Sequence, residues 1–312
     1  MNKRLRLRDP ATNFGFVMSR RLGDSLVSMV IAENLRRAGR SVTIYGDMLQ
    51  PLAARFPDHD VQSMPHGPEA TSIWKRHDVL LHFRPADVRD EAREMPDRVV
   101  VLDDLPEHRG PLLGVVELHR QVAESVFGIP SPTSETGFHA GTDADASDAD
   151  HSRIMIHPTA SDPRRQWIPE RFIAVADGLR HRGWTPEFTT LPEEQAATDW
   201  IEAAGFPRFA SRDLAVLTAR LEGSGGFFGS DSGVAHLASC TGLPFVTLYV
   251  RRKVSIRWRP GWSPGEALRP RWPLILKPLK ERFWARGISI NQVLSAADRV
   301  FGPAPGIIPR SR

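Results

Sequence analysis

The sequence predicts an α/β protein of two doubly wound parallel domains facing a central cleft. Three observations carry this prediction. Short apolar runs alternate with helical patterns from residue 14 onward, the rhythm of a parallel sheet covered by helices on both faces. A stretch rich in Pro, Ser, Thr, Gly, Ala and Asp, residues 130–151, interrupts the rhythm, which restarts at Arg153. A chain of 312 residues has room for two domains of ordinary size.

In the first half, residues 14–19 read as a strand and 24–38 as a helix, with Leu26, Met29, Val30 and Leu35 on one face. Gly39 closes that helix, and 41–45 form the next strand. Strands follow at 79–83 and 99–102, and a helix at 112–127. In the second half the expected strands are 153–156, 186–191, 225–228 and 245–250. Helices are expected at 169–182, where Pro169 suits a first turn, and at 193–204, 213–221 and 237–240. A final amphipathic helix covers 290–301. The expected organisation is a first domain at 1–140, a linker at 141–152, a second domain at 153–285 and a C-terminal helix and tail at 286–312.

Composition narrows the classes. Hydrophobic residues at 41% and charged residues at 25% are those of a soluble globular chain. A single cysteine, Cys240, rules out a disulfide framework and a thiolate metal site. No apolar run approaches the ~18 residues of a membrane span, and basic residues 1–8 lack the apolar core of a secretory signal. Asp143, Asp145, Asp148 and Asp150 are spaced like calcium ligands. They lack the central Gly and terminal Glu of an EF-hand, so no metal site is expected. The net charge is only +4, yet eleven Lys and Arg lie between 251 and 286 against Glu266 and Glu281, with Trp258, Trp262, Trp272 and Trp284 among them. Such a patch suits phosphates or anionic lipid, and equally a solvated face over packed aromatics. No nucleic-acid-binding motif is present, and no nucleic-acid partner is expected. The Gly-x-Gly-x-x-Gly of a dehydrogenase is missing after the first strand, where Arg21-Leu22-Gly23-Asp24 stands.

Ligands of doubly wound sheets bind at the carboxyl ends of the strands. Three loops belong there: 20–25, 157–167 and the turn Asp231-Ser232-Gly233. That turn joins a buried strand to a helix N-terminus, where free N–H groups and the helix dipole favour a phosphate. Asp231 reads equally as the helix N-cap, and His236 as a packed core histidine.

Together the three loops resemble glycosyltransferase family 9, the ADP-heptose:lipopolysaccharide heptosyltransferases. Leu22-Gly23-Asp24-Ser25-Leu26 is similar to the family's Gly-Asp motif. Ile156-His157-Pro158-Thr159-Ala160-Ser161, followed by Arg165-Gln166-Trp167-Ile168-Pro169-Glu170-Arg171-Phe172, resembles its H-P-G-A-S … K-x-W-P-x-x-x-F stretch. Asp231-Ser232-Gly233-Val234-Ala235-His236-Leu237-Ala238 resembles D-S/T-G-x-x-H-L-A. The chain departs from the pattern in carrying Arg165 for the usual Lys, and Val250-Arg251-Arg252-Lys253 where Gly-Pro-Thr often follows the last strand.

The resemblance implies a GT-B fold of two Rossmann-like domains. It also implies an inverting, metal-independent transfer, without a cofactor, of heptose or a similar sugar from a nucleotide-sugar, ADP-heptose first. The acceptor would be a phosphorylated glycan or glycolipid of lipopolysaccharide or a related surface glycan. The enzyme would be cytoplasmic, with peripheral contact to an anionic membrane. Asp24 would be the general base, and a helix N-terminus should favour its ionised form. Thr159, Ser161, Arg165, Asp231, Ser232, Gly233 and His236 would hold the donor, with Arg164 a competitor to Arg165. Glu193 or Glu194 would grip the ribose, and Arg20 and Arg21 the acceptor. Two other readings stay open: a different nucleotide-sugar or non-lipid acceptor on the same fold, and a non-catalytic nucleotide- or nucleic-acid-binding protein.

Overall fold

The computed structural model describes residues 3–141, 148–270 and 283–306. The chain divides into two compact units, residues 1–139 and 140–312. Each is a parallel sheet with helices.

The first unit holds helix α1 (Lys3–Arg8), strand β1 (Phe14–Val17), α2 (Leu22–Arg37), β2 (Val42–Tyr45), β3 (Asp60–Gln62), α3 (Glu69–Trp74), β4 (Val79–His82), α4 (Asp90–Arg93), β5 (Val99–Val101) and α5 (Val115–Ser125). The sheet order is β3-β2-β1-β4-β5, every pair parallel. The order reverses between β1 and β4, which makes that edge the switch point where such sheets bind ligands. Helix α2 is buried from Leu22 through Leu35, because α5 covers the side that the sheet does not. Gly39, at φ +74°, takes the left-handed turn that ends α2, a conformation costly for any residue with a Cβ.

The second unit holds β6 (Asp150–His157), α6 (Pro169–Arg180), β7 (Thr185–Thr190), α7 (Gln195–Thr198), α8 (Trp200–Ala203), β8 (Arg208–Ala210), α9 (Leu214–Glu222), β9 (Ser224–Ser230), α10 (Gly233–Cys240), β10 (Phe245–Leu248), α11 (Arg252–Arg257), β11 (Gly265–Leu268) and α12 (Ile290–Phe301). Its sheet order is β11-β10-β9-β6-β7-β8, again all parallel, with the switch between β6 and β9. This is the order of a six-stranded dinucleotide-binding sheet. Helix α12 starts on a capping box, Ser289 with Gln292. It packs on α6, β10 and β11, so its Val293, Leu294, Ala296 and Ala297 complete the core around Phe172, Phe188 and Phe228.

The sequence predicts one helix over residues 193–204, but the structure breaks it between α7 and α8. There Thr198 Oγ1 donates to the Glu194 carbonyl, and Trp200 Nε1 to the Ala197 carbonyl. Side chains compete for the acceptors that a continuous helix uses. Among the described residues no helix is long and apolar enough to cross a membrane.

Candidate functional site

Both groups of predicted residues lie at the switch point of their own sheet. In the first unit the chain leaves β1 through Ser19, Arg20 and Arg21 and enters α2 at Leu22. The Ser25 hydroxyl donates to the Ser19 carbonyl at 2.8 Å and holds this turn closed. Asp24 therefore lies inside the first turn of α2, with Arg21 at the N-cap. The predicted helix start at residue 24 is corrected accordingly. The helix begins two residues earlier, and the Asp24 carboxylate is turned to partners across the sheet edge.

Those partners come from the far side of the switch point. Just beyond β4, the Arg84 Nε lies 2.9 Å from Asp24 Oδ2, and Arg84 Nη2 donates to Oδ1 at 3.1 Å. The Ser19 hydroxyl stands 3.4 Å from Asp24 Oδ2 and 3.3 Å from Asp87 Oδ1. Burial raises the Asp24 carboxyl above its ordinary range, against the pull of Arg84 and Arg21 and with Asp87 adding to the rise. The expectation that the helix terminus keeps Asp24 readily ionised is thus reversed in sign, because desolvation is the larger effect. Arg20 and Arg21 are exposed on the same turn.

In the second unit the loops after β6 and β9 meet. Ser230 Oγ donates to the Pro158 carbonyl at 3.0 Å. Arg165 Nη1 reaches Asp231 Oδ2 at 3.3 Å, holding a half-exposed guanidinium beside the start of α10. The N-cap of α10 is Ser232, and Asp231 lies one residue outside the helix, so Asp231 is not the cap that the sequence allows. Ser232 makes no capping bond, and its Oγ is buried with no hydrogen-bond partner among the described residues. His236 is one turn on, 4% exposed, and its Nδ1 also lacks a partner there. Positions four apart share a helix face. Two unsatisfied polar atoms therefore sit on one face of a helix whose first N–H groups have no intrahelical acceptor. Burial lowers the His236 imidazole to about 4. It is a neutral ring packed between Trp258 and Trp262, able to hydrogen-bond but not to supply charge.

Thr159 is buried, and its hydroxyl donates to Glu194 Oε2 at 3.1 Å. The same carboxylate oxygen accepts the Leu191 backbone N–H at 2.9 Å. Glu193 points elsewhere and pairs with Arg212 at 2.9 Å. Ser161 is exposed on a bend. Arg164 folds back on Asp162 at 2.9 Å, with its side chain 87% exposed, which leaves Arg165 as the cation beside α10. Trp167 donates from Nε1 to the Ala285 carbonyl at 2.7 Å and packs edge-on against Phe172 and Phe228. Of the basic segment, Arg251, Arg252 and Lys253 are exposed at the start of α11, just past the carboxyl end of β10. Arg271, Trp272, Lys277, Lys280, Glu281 and Arg282 lie outside the described residues.

Sequence reasoning missed Arg84, Ser19 and Asp87. A signal for two of them existed: Arg84 and Asp87 follow the strand predicted at 79–83, and both strands at a switch point contribute loops to its site.

The model of glycosyltransferase family 9 (heptosyltransferase) matches residues 89–264. No curated protein matches the chain. Among solved structures, a family 9 glycosyl transferase from Veillonella parvula DSM 2008 is 18% identical with TM-score 0.72, covering 92% of this chain and 96% of its own. E. coli ADP-heptose lps heptosyltransferase II is 16% identical with TM-score 0.68, covering 92% and 98%. E. coli heptosyltransferase WaaC, solved with ADP, is 12% identical with TM-score 0.64, covering 92% and 99%. At these identities the likeness speaks for the fold of paired Rossmann-like domains. The family match spans more than half of the chain's length and includes the loops after β6 and β9, and on that ground the chain belongs to glycosyltransferase family 9 and is a glycosyltransferase.

Proposed function

We propose that this enzyme is an inverting, metal-independent transferase that moves a heptose, or a closely similar sugar, from ADP-heptose to a hydroxyl of a phosphorylated lipopolysaccharide-type acceptor. The observation that carries the donor half is the α10 N-terminus. Ser232 Oγ and His236 Nδ1 are buried there without hydrogen-bond partners among the described residues, and Arg165 is tethered beside them by Asp231. A buried hydroxyl and imidazole nitrogen left unsatisfied cost roughly 1–3 kcal/mol each. A donor diphosphate would satisfy both while accepting the helix N–H groups. Arg165 would neutralise charge on the departing nucleoside diphosphate through charge-assisted hydrogen bonds.

Asp24 is the proposed general base. The acceptor oxygen forms a bond to the anomeric carbon as the bond from that carbon to the diphosphate oxygen breaks. The hydroxyl proton passes to Asp24, and the electron pair leaves on the diphosphate. A carboxyl raised by burial is a stronger base than an exposed one, which favours this role. Arg20 and Arg21 would bind anionic groups of the acceptor. Thr159 and Ser161 would line the donor side, and Glu194, held by Thr159, would meet the ribose in preference to the outward-turned Glu193. Exposed Arg251, Arg252 and Lys253 would give peripheral attraction to an anionic membrane surface at the cytoplasmic face.

A thermal-shift panel of ADP, UDP, GDP, CDP, NAD and ADP-heptose tests the donor. At about 100 times its dissociation constant a ligand adds roughly 2.7 kcal/mol. Selective stabilisation by ADP and ADP-heptose is the expected result. A shift with another nucleotide changes the donor, and no shift with any of them favours the non-catalytic reading.

A further inference from the structure

The first unit contains a charged cluster that the transfer chemistry above leaves unexplained. Arg84 Nη2 donates to Asp24 Oδ1 at 3.1 Å, and Arg84 Nε lies within ion-pair distance of Oδ2, at 2.9 Å. A charged donor on one oxygen, with the same guanidinium close to the other, constrains the carboxylate more than an uncharged hydrogen bond does. The Arg84 guanidinium is itself braced against the Phe83 ring, 5.2 Å from its centroid. The side chains come from positions 60 residues apart, brought together only by the pairing of β1 with β4.

We propose that Arg84 is the positioning residue of the Asp24 base, holding its carboxylate ionised and in one orientation at the β1–β4 switch point. This rests on the reading of Asp24 as the base. The reason is electrostatic. Asp24 is 5% exposed, and a carboxylate so buried drifts toward its neutral form unless a cation compensates. The charged groups facing Asp24 are Arg84 from the loop after β4, Arg21 from the N-cap of its own helix, and Asp87 from the turn beyond Arg84. Asp87 opposes the two cations. Arg21 is exposed and screened by water, so its effect is weaker. Ser19 has one hydroxyl hydrogen to share between Asp24 and Asp87, which leaves Arg84 as the charged donor to Asp24. Arg84 in turn feels Asp103 from the segment after β5, and Asp103 is paired with His108 at 3.3 Å. Arg84 therefore links the base to a second carboxylate.

The test is the titration of Asp24 in the full-length protein, with aspartate labelled at its carboxyl carbon and the Asp24 signal assigned by its loss in Asp24→Asn. In Arg84→Gln the midpoint should rise by about 1 to 3 pH units, the usual effect of a contacting arginine. The acidic limb of kcat/KM for transfer from ADP-heptose should move by the same amount. Arg84→Lys keeps a charge without the planar guanidinium, so its midpoint should lie between the two, and it serves if the Gln variant does not fold. An unmoved Asp24 titration in a folded Arg84 variant overturns the proposal. Full transfer by Asp24→Asn is a separate result: it overturns the base reading and the catalytic part of this one, whatever the titration shows.

Discussion

Glu33 offers a prediction whose size follows from the structure. It lies in the buried stretch of α2 with its side chain 4% exposed. Arg36 grips it with Nε at 2.8 Å and Nη2 at 2.9 Å, and His59 donates from Nε2 at 3.0 Å. Burial opposes the charge, but the hydrogen bonds from His59 and Arg36 outweigh it and bring the carboxyl from 4.5 to about 2. The folded-state value is depressed, so the stabilisation is fully present above pH 4.5 and is lost as pH falls through about 2. The difference corresponds to about 3 kcal/mol at neutral pH. Glu33→Gln removes the titration while keeping the shape, so the first unit should be about 3 kcal/mol less stable at pH 7. That gap should shrink to under half at pH 3 and vanish below pH 2. Urea melts across this range, read from the indole NMR signal of Trp74, report the first unit, since the other tryptophans all lie beyond residue 160. A gap as large at pH 3 as at pH 7 would refute the linkage argument and leave only a packing defect.

Asp24→Asn should lower transfer by about 10²–10⁴-fold while nucleotide affinity, measured by calorimetry, stays within twofold. In the wild type, transfer should fall as pH drops through a midpoint above the ordinary aspartate range, because the base acts only when ionised and burial raises its pKa. Arg165→Ala should weaken ADP binding by roughly tenfold to a hundredfold, the value of a charge-assisted hydrogen bond to phosphate; unchanged affinity would remove Arg165 from the donor site. Trp167→Ala should destabilise the second unit by about 3–5 kcal/mol, since it deletes a 3%-exposed ring and its bond to Ala285. Differential scanning calorimetry checks this, and a loss under 1 kcal/mol would contradict the packing described.

The alternation of strand and helix, the ends of α12 and the loops after β1, β6 and β9 were legible in the sequence, because each is written in neighbouring residues. Apolar periodicity, a Gly after a helix and a strand–turn–helix junction all act within about ten positions. The edge strands β3, β8 and β11 were not legible. They are three or four residues long and their residues are partly exposed or exposed, so they carry no apolar run. Nor were the start of α2 at Leu22, two residues before the predicted one, and that of α10 at Gly233, which puts Ser232 rather than Asp231 at its N-cap. Tertiary structure alone decided the state of the site. Asp24 meets Arg84, Arg165 meets Asp231 and Thr159 meets Glu194 across separations of 35 to 66 residues. The sign of the Asp24 shift follows from how much water the fold removes, and no local pattern records that. A sequence fixes which groups exist and what short segments prefer; desolvation and pairing are sums over neighbours that only the folded chain supplies.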